Sequence, residues 1–140
     1  MLFTAEPTVT PDDTEASPKV EMLKLAHGII TWVSVLFPTG CHQMVHCAIL
    51  HHEHQIWPST ENMSLSGDGV PIEWTEYYEV YHPPYELKIK LWSEETTYDH
   101  TVTVRIAVLP RKAIVAASLT DALKGLFGML LPRRIIPPSE

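Results

Sequence analysis

The sequence has 140 residues, of which 45% are hydrophobic and 19% are charged. This length predicts a single domain with its own hydrophobic core, and this composition excludes an intrinsically disordered chain. No apolar run approaches the roughly 20 residues that a membrane helix needs, so we expect no membrane partner. The formal net charge of −7 combines an acidic body with a basic C-terminal part. Because an acidic surface repels phosphate groups, we also expect no nucleic-acid partner.

The first 18 residues carry acidic side chains and no basic ones. They also lack an apolar period, so we predict that residues 1–18 form a flexible acidic arm. This stretch does not begin with the basic segment of a secretory signal, which favours a reducing compartment. In such a compartment we expect Cys41 and Cys47 to remain free thiols.

Residues 19–110 contain short runs in which apolar and polar residues alternate, and such runs predict β-strands with one buried face. The two strongest runs are 87–91 and 102–108. We predict that they pair as an antiparallel hairpin, because the polar stretch 93–97 separates them. Counting all runs gives about six to eight strands, as expected of a β-sandwich.

Residues 29–37 are apolar on both faces of the predicted strand. One face carries Ile30, Trp32 and Leu36, and the other carries Ile29, Val33, Val35 and Phe37. A strand that is apolar on both faces belongs in the middle of the molecule, either between two layers or at a contact between subunits.

Residues 111–140 differ from the rest of the chain in charge and in period. They hold five basic and two acidic residues, a net charge of +3, and their apolar residues recur at helical spacing. We predict an amphipathic helix of about twelve residues, which is marginal in isolation and must therefore dock on an apolar surface. We expect a neighbouring copy of the chain to supply that surface. The predicted oligomer-contact residues are Leu119, Leu123, Leu126, Phe127 and Leu130.

Five of the eight histidines lie between residues 42 and 54, which raises the hypothesis of a metal site. His52 and His54 share one face of a strand and could both ligate a zinc ion. A cupin-like site also needs a glutamate three or four residues further on, whereas the next carboxylate, Glu61, is seven residues away. We therefore predict no metal ligand and no cofactor.

The residue types that serve as catalytic nucleophiles lack the partners that would activate them. Cys47 alternates with apolar residues in a strand, and Cys41 follows a turn without an Asn or Asp placed to orient a neighbouring histidine. The serine- and glycine-rich stretch 64–69 does not join a strand to a helix, so it fits neither a nucleophile elbow nor a phosphate-binding loop. We therefore predict no catalytic residue and no enzymatic activity.

Aromatic residues concentrate between residues 57 and 85. Side chains with an apolar body and a polar tip are favoured in sugar-binding platforms and in protein interfaces. The candidate ligand-binding residues are Trp57, Trp74, Tyr77, Tyr78 and Tyr81. The alternative is that these side chains close the ends of the sandwich beneath the long loop.

Several turns and strand ends over residues 27–110 occur in a familiar order. The matching segments are Phe37-Pro38-Thr39-Gly40-Cys41, His54-Gln55-Ile56-Trp57-Pro58, Gly67-Asp68, Pro83-Pro84-Tyr85-Glu86-Leu87, the stretch from Trp92 to Thr101, and Val104-Arg105. In this order they resemble small, uncharacterised proteins encoded among phage and prophage virion genes. The resemblance implies a jelly-roll-like sandwich that acts as a viral structural or assembly component, and it carries over no functional residue.

Together these observations predict an all-β fold in which residues 19–110 form an antiparallel sandwich of jelly-roll type, followed by a C-terminal helix within residues 111–140. The predicted function is that of a non-enzymatic virion component, assembled in the host cytoplasm, that binds copies of itself and other virion proteins. A β-sandwich module that binds carbohydrate or another ligand is the alternative. A metal-dependent enzyme on a cupin-like barrel is the third hypothesis.

Overall fold

The computed structural model describes residues 1–110 together with Lys112 and Ala113. Eleven β-strands run through residues 1–110. In chain order they are β1 (Leu2–Ala5), β2 (Thr8–Val9), β3 (Lys19–Lys24), β4 (Gly28–Leu36), β5 (Val45–His51), β6 (His54–Trp57), β7 (Leu65–Ser66), β8 (Pro71–Val80), β9 (Glu86–Ser93), β10 (His100–Thr101) and β11 (Thr103–Pro110). The predicted all-β, antiparallel fold class is confirmed, whereas the predicted C-terminal helix lies outside the described residues. Within that described part, no helix is long and apolar enough to cross a membrane.

The strands form two large sheets and one small ribbon. The four-stranded sheet has the order β1-β11-β4-β8, and the five-stranded sheet has the order β3-β9-β5-β6 with the short β7 added along β5. β2 and β10 pair separately as a two-stranded ribbon. β4 lies between β11 and β8 within the four-stranded sheet, whereas the prediction that its second apolar face meets another layer or another subunit stays a prediction.

The inward-facing side chains of both large sheets belong to one hydrophobic cluster. Alternation supplies them, because every second residue of a strand points to the same face. The members from β4, β5, β9 and β11 include Ile30, Val33, Val35, Val45, Cys47, Ile49, Leu87, Ile89, Leu91, Val104, Ile106 and Val108. Full burial of each such aliphatic side chain stabilises the fold by roughly 1.5–3 kcal/mol, so this cluster holds the two sheets together.

The prediction that the runs 87–91 and 102–108 pair as a hairpin is wrong. The first run lies in β9, between β3 and β5, and the second lies in β11, between β1 and β4. Each strand buries the predicted face, but the two strands belong to different sheets. Alternation fixes which face of a strand is buried and leaves its pairing partner open, and the connection 94–102 is long enough to cross between the sheets.

The prediction of a flexible arm at residues 1–18 is wrong for its first half. β1 pairs with β11, β2 pairs with β10, and Ala5 and Val9 are buried in the core. The acidic stretch after β2 is bonded to β9, because the Ser93 amide donates a hydrogen bond to the Asp13 carbonyl oxygen (2.8 Å). A four-residue edge strand is held by backbone hydrogen bonds, so it needs no long apolar period in its sequence.

A bulge in β4 changes which of its residues face the core. The pairing register with β8 shifts between Ile30 and Trp32, so Ile30 joins Val33 in the core cluster. Ile29 lies opposite Leu109 on the other face. The predicted face that grouped Ile29 with Val33 is therefore wrong, because strict alternation assumes a strand without an inserted residue.

Gly28, the first residue of β4, lies where β4 and β11 approach each other closely. A Cβ atom at Gly28 would lie 2.4 Å from the Leu109 carbonyl oxygen and 2.9 Å from Val108 Cγ1. Because backbone atoms would have to move, we expect Gly28→Ala to lower the free energy of unfolding in urea by roughly 1–3 kcal/mol. Gly67→Ala is the matched control, since its Cβ would meet only side chains, the nearest atom being Phe37 Cδ2 at 3.2 Å. Equal losses in the two variants would contradict the close approach at Gly28.

Candidate functional site

Three of the predicted aromatic residues meet between the edge strands β6 and β8. Trp57 on β6 lies edge-on to Trp74 and Tyr78 on β8, with ring centroids 5.9 and 5.7 Å apart. Only 4% of Trp57 is exposed, and the other two side chains are half-buried. Contacts of this geometry contribute roughly 0.5–1.5 kcal/mol beyond the burial of area. We name Trp57, Trp74, Glu76 and Tyr78 the inter-sheet seam, because they connect the edges of the two large sheets.

The carboxylate of Glu76 accepts hydrogen bonds from both tryptophans of the seam. Trp57 Nε1 donates to Glu76 Oε1 from the opposite sheet (2.5 Å), and Trp74 Nε1 donates to the same oxygen (3.3 Å). Hydrogen bonds to an ionised acceptor are stronger than neutral ones, and a buried N–H without an acceptor is costly. Glu76 therefore satisfies both indoles and links β8 to β6.

His51, at the end of β5, extends the seam. Its Nδ1 lies 2.7 Å from the Tyr78 hydroxyl oxygen, and its ring centroid lies 3.9 Å from that of His52. Burial, with a smaller contribution from His52, lowers the pKa of His51, and burial raises the pKa of Tyr78. Both groups are therefore neutral at pH 7. A neutral pair of this kind fits a structural contact better than a site for a charged ligand.

The turn between β5 and β6 sets the direction of these histidines. His52 and Glu53 form it, and both have positive φ angles (51° and 65°). This is the conformation of a two-residue hairpin turn, in which Asn-Gly is the common sequence. Lys88 on β9 pairs with the Glu53 carboxylate. The turn leaves His51 beside the seam and His54 exposed to solvent.

The other two predicted aromatic ligands lie elsewhere. Tyr77 points away from the seam on the opposite face of β8, with 68% of its surface exposed. Tyr81 follows β8 and stacks on His27, with ring centroids 5.1 Å apart. The five predicted residues therefore do not form one platform, and the three that meet have their polar atoms engaged within the protein. The ligand-binding hypothesis for this set stays a prediction.

The histidines between residues 42 and 54 do not converge on one point. His42 Nδ1 lies 3.6 Å from Asp68 Oδ2, in the loop after β4. His46 Nδ1 lies 2.9 Å from Ser64 Oγ, and its ring stacks on Trp92 at 5.5 Å. In the part of the chain that the structure describes, no group of three or more His, Cys, Asp or Glu side chains is arranged to hold a metal ion. The hypothesis of a metal-dependent enzyme therefore gains no site from these histidines.

Both cysteines are buried and carry free thiols. Cys47 lies in the core on β5, and burial raises its pKa to about 12. Cys41 lies in the loop after β4, where burial, together with the nearby Asp68 carboxylate, raises its pKa. A thiol with a raised pKa holds little of the thiolate that nucleophilic chemistry requires, so neither side chain is prepared for catalysis.

A cavity of about 510 Å³ opens among the loops after β4 and after β9. Segments 39–44 and 95–100 contribute most of its lining, which mixes imidazole, carboxyl and hydroxyl groups. Asp68 fixes the first segment, because the Gly40 amide donates to Asp68 Oδ1 (2.7 Å), and this bond is the main cause of the lowered pKa of Asp68. Sites for small molecules bury most of their ligand, whereas this cavity is partly open to solvent.

The outward face of the four-stranded sheet carries apolar side chains that the core does not use. We name it the apolar outer face, and its apolar members are Leu2, Ile29, Trp32, Leu36, Tyr77, Ala107 and Leu109. Leu2 and Leu109 are 59% and 42% exposed. The charged side chains on the same face are Arg105, Glu73 and Glu79. Exposed apolar patches of this kind often mark contacts between proteins.

The outward face of the five-stranded sheet has a different character. Residues 1–110 hold five basic and fifteen acidic residues, a net charge of −10. Three of those five bases, Lys24, Lys88 and Lys90, project from this one face, with Glu86 beside them. Val20 and Met22 on the same face are 45% and 44% exposed, so the two outer faces differ in charge while both expose apolar side chains.

The predicted oligomer-contact residues Leu119, Leu123, Leu126, Phe127 and Leu130 lie outside the described residues. No known protein family, curated protein or solved structure matches this chain. Arguments about function therefore rest on the strand order, the seam and the surfaces described above.

Sequence reasoning missed Glu76 and His51 as partners of the aromatic residues. For Glu76 a signal exists, because Trp74, Glu76 and Tyr78 are two residues apart and share one face of a strand. All three residues lie in β8, which runs from Pro71 to Val80, so the alternation of that strand includes Glu76. For His51 no local signal exists, since its partner Tyr78 is 27 residues away in the sequence and reaches it only through the sheet topology.

Removing the Glu76 carboxylate tests whether the seam stabilises the fold. Glu76→Ala leaves two indole N–H groups without an acceptor, so we expect the free energy of unfolding to fall by roughly 1–3 kcal/mol for the buried Trp57 donor alone. Glu76→Gln keeps an acceptor oxygen, so its loss should be smaller. Glu73→Ala, on the opposite face of β8, is the control and should change stability by less than about 0.5 kcal/mol. Urea denaturation followed by tryptophan fluorescence measures all three, and an equal loss in the control would contradict a specific role of the seam.

His51 should make stability depend on pH. Its pKa in the folded protein lies below its ordinary value of 6.5, so the unfolded chain binds the proton more readily. The stability that neutral His51 contributes is therefore complete above about pH 6.5 and is lost as the pH falls towards the folded-state pKa. We expect the urea midpoint of the wild type to fall more steeply between about pH 7.5 and about pH 5.5 than that of His51→Gln.

The control for this experiment is His54→Gln, which removes an exposed histidine from the same hairpin. It should keep the wild-type slope of urea midpoint against pH. Equal slopes for the wild type and His51→Gln would show that His51 does not couple protonation to folding.

Proposed function

We propose that the protein is a non-enzymatic structural component of a phage virion, which assembles with copies of itself or attaches to a larger particle. The observation that carries the proposal is the order in which the strands pair. β1 pairs with β11, β3 with β9, β4 with β8 and β5 with β6, so each pair lies inside the previous one along the chain. Successive pairs fall alternately into the four-stranded and the five-stranded sheet.

A nested ribbon that alternates between two sheets is the topology of a jelly roll. The shared hydrophobic cluster supports the same conclusion, because the inner faces of the two sheets contribute to it together. We therefore infer a jelly-roll sandwich with β2, β7 and β10 as short additions. β1 is the first strand of its ribbon, so the inferred domain begins before residue 19, where the sequence pattern placed its start.

Jelly rolls occur in viral capsid proteins, in lectins and in cupins, so the fold alone does not decide the function. The inward positions of this chain carry aliphatic side chains, which favour a packed core over a ligand-lined barrel. The three aromatics that meet use their polar atoms in the seam. The apolar outer face, and Val20 and Met22 on the outward face of the five-stranded sheet, remain available to partners, which supports a role in assembly. The resemblance to proteins encoded among phage virion genes supports the same class.

Assembly is the first part of the proposal to test, by measuring the mass of the full chain in solution. At micromolar concentration we expect a mass above that of the 15.8 kDa chain, because the apolar outer face and the predicted C-terminal contact residues both require cover. Deleting residues 112–140 should leave a folded protein that has lost its assembled state. A full chain that stays monomeric at all tested concentrations would contradict the proposal. If the truncated chain unfolds, the C-terminal segment belongs to the domain's own core.

The virion part of the proposal needs a separate measurement. Particles purified from cultures of the organism that encodes this chain should contain its peptides in stoichiometric amount by mass spectrometry. The control is the soluble fraction of the same lysate, in which the peptides should be depleted relative to the particles.

A further inference from the structure

We propose that the apolar outer face of the four-stranded sheet is the docking surface for residues 118–131 of this polypeptide. The inference rests on the proposed function and adds to it the surface that receives the predicted contact residues. That segment lies outside the described residues, and its sequence supplies the apolar stripe. The point where the chain leaves the sheet and the charges on this face select it, and the length of the face is sufficient for the contact.

The chain enters its C-terminal part from a corner of the apolar outer face. β11 ends at Pro110, which lies opposite Gly28 on β4, and Leu109 just before it projects from the face with 42% of its surface exposed. Residues 111–117 then supply a connection that can reach at most about 25 Å when extended. That reach allows residues 118–131 to fold back over the same sheet or to cross to the equivalent sheet of a second copy.

The dimensions of the sheet suit one short helix. The predicted helix of about twelve residues would be about 18 Å long. β11 has eight residues, and an antiparallel strand of that length spans about 27 Å. Packing a helix on one face of an antiparallel sheet is a standard way to bury both apolar surfaces. The exposed Leu2, Tyr77 and Leu109 would be covered in the same event.

Charge selects this face over the outward face of the five-stranded sheet. Residues 111–140 carry a net charge of +3. On the apolar outer face, Glu73 and Glu79 project from the β8 edge against the single base Arg105. On the other outer face the C-terminal part would meet Lys24, Lys88 and Lys90 together with Glu86 and with Glu53, which pairs with Lys88. The named side chains sum to −1 on the proposed face and to +1 on the other, so the basic C-terminal part is attracted to the proposed face.

The test is site-specific photo-crosslinking in the full chain. The photoreactive residue p-benzoylphenylalanine replaces Tyr77, an aromatic and exposed side chain on the apolar outer face. The matched control places the same residue at Lys90, on the outward face of the five-stranded sheet. After irradiation and proteolysis, we expect cross-links to residues 118–131 in several-fold higher yield from position 77 than from position 90. The same substitution at Thr75, also on the apolar outer face, is a second probe, and circular dichroism confirms that each variant is folded.

The mass of the cross-linked product separates this inference from the proposed function. Cross-links between two chains support both the docking surface and assembly through exchanged segments. Cross-links within one chain support the docking surface and contradict that mode of assembly. Three results would overturn the docking surface while an oligomer is still observed: no cross-link to residues 118–131 from positions 77 and 75, an equal or higher yield from position 90, or cross-links from position 77 only to residues 1–110 of another copy.

Discussion

The two large sheets share one core, and side chains rather than a backbone ladder close the gap between β6 and β8. Within residues 1–110, β6 is the last strand of one sheet and β8 the last strand of the other, and each pairs only with its inner neighbour. The hydrogen bond from Trp57 to Glu76 spans this gap, and the rings of Trp74 and Tyr78 fill it. Burial of the aliphatic core requires that water be excluded here, so the largest favourable term in folding depends on the seam.

A glutamate among aromatic residues has two physical roles in this position. It gives the indole of the buried Trp57 an acceptor within the protein. It also puts a charge on the inward face of a ten-residue edge strand, where a second chain could otherwise add a strand to the sheet. The same residue therefore joins the two sheets of one molecule and discourages uncontrolled pairing with another. The assembly that we propose therefore uses a different surface, and the apolar outer face is one that the core leaves available.

The sequence predicts which face of a strand is buried far better than it predicts which strands pair with each other. Alternation in β9 and β11 identifies the buried residues, because burial follows from a period that is local to each strand. It does not identify which strands pair, since β9 and β11 have equivalent patterns and lie in different sheets. The bulge at Ile30 and the pairing of β1 likewise depend on neighbouring strands. The same distinction applies to the candidate site. Alternation along β8 is enough to place Tyr77 and Trp74 on opposite faces of the strand, whereas the contact between His51 and Tyr78 can be predicted only when the pairing of all strands is known.

The apolar outer face and the C-terminal part of the chain each carry apolar side chains that need to be buried. A predicted helix of about twelve residues is marginal alone, and Gly125 and Gly128 weaken it further. The apolar outer face exposes Leu2, Tyr77 and Leu109, and moving their apolar surface out of water is favourable. The apolar outer face and the apolar stripe of the predicted helix can bury each other, so the helix does not have to be stable in isolation. The difference in charge between the two outer faces favours the proposed contact on the four-stranded sheet over the same contact on the five-stranded sheet.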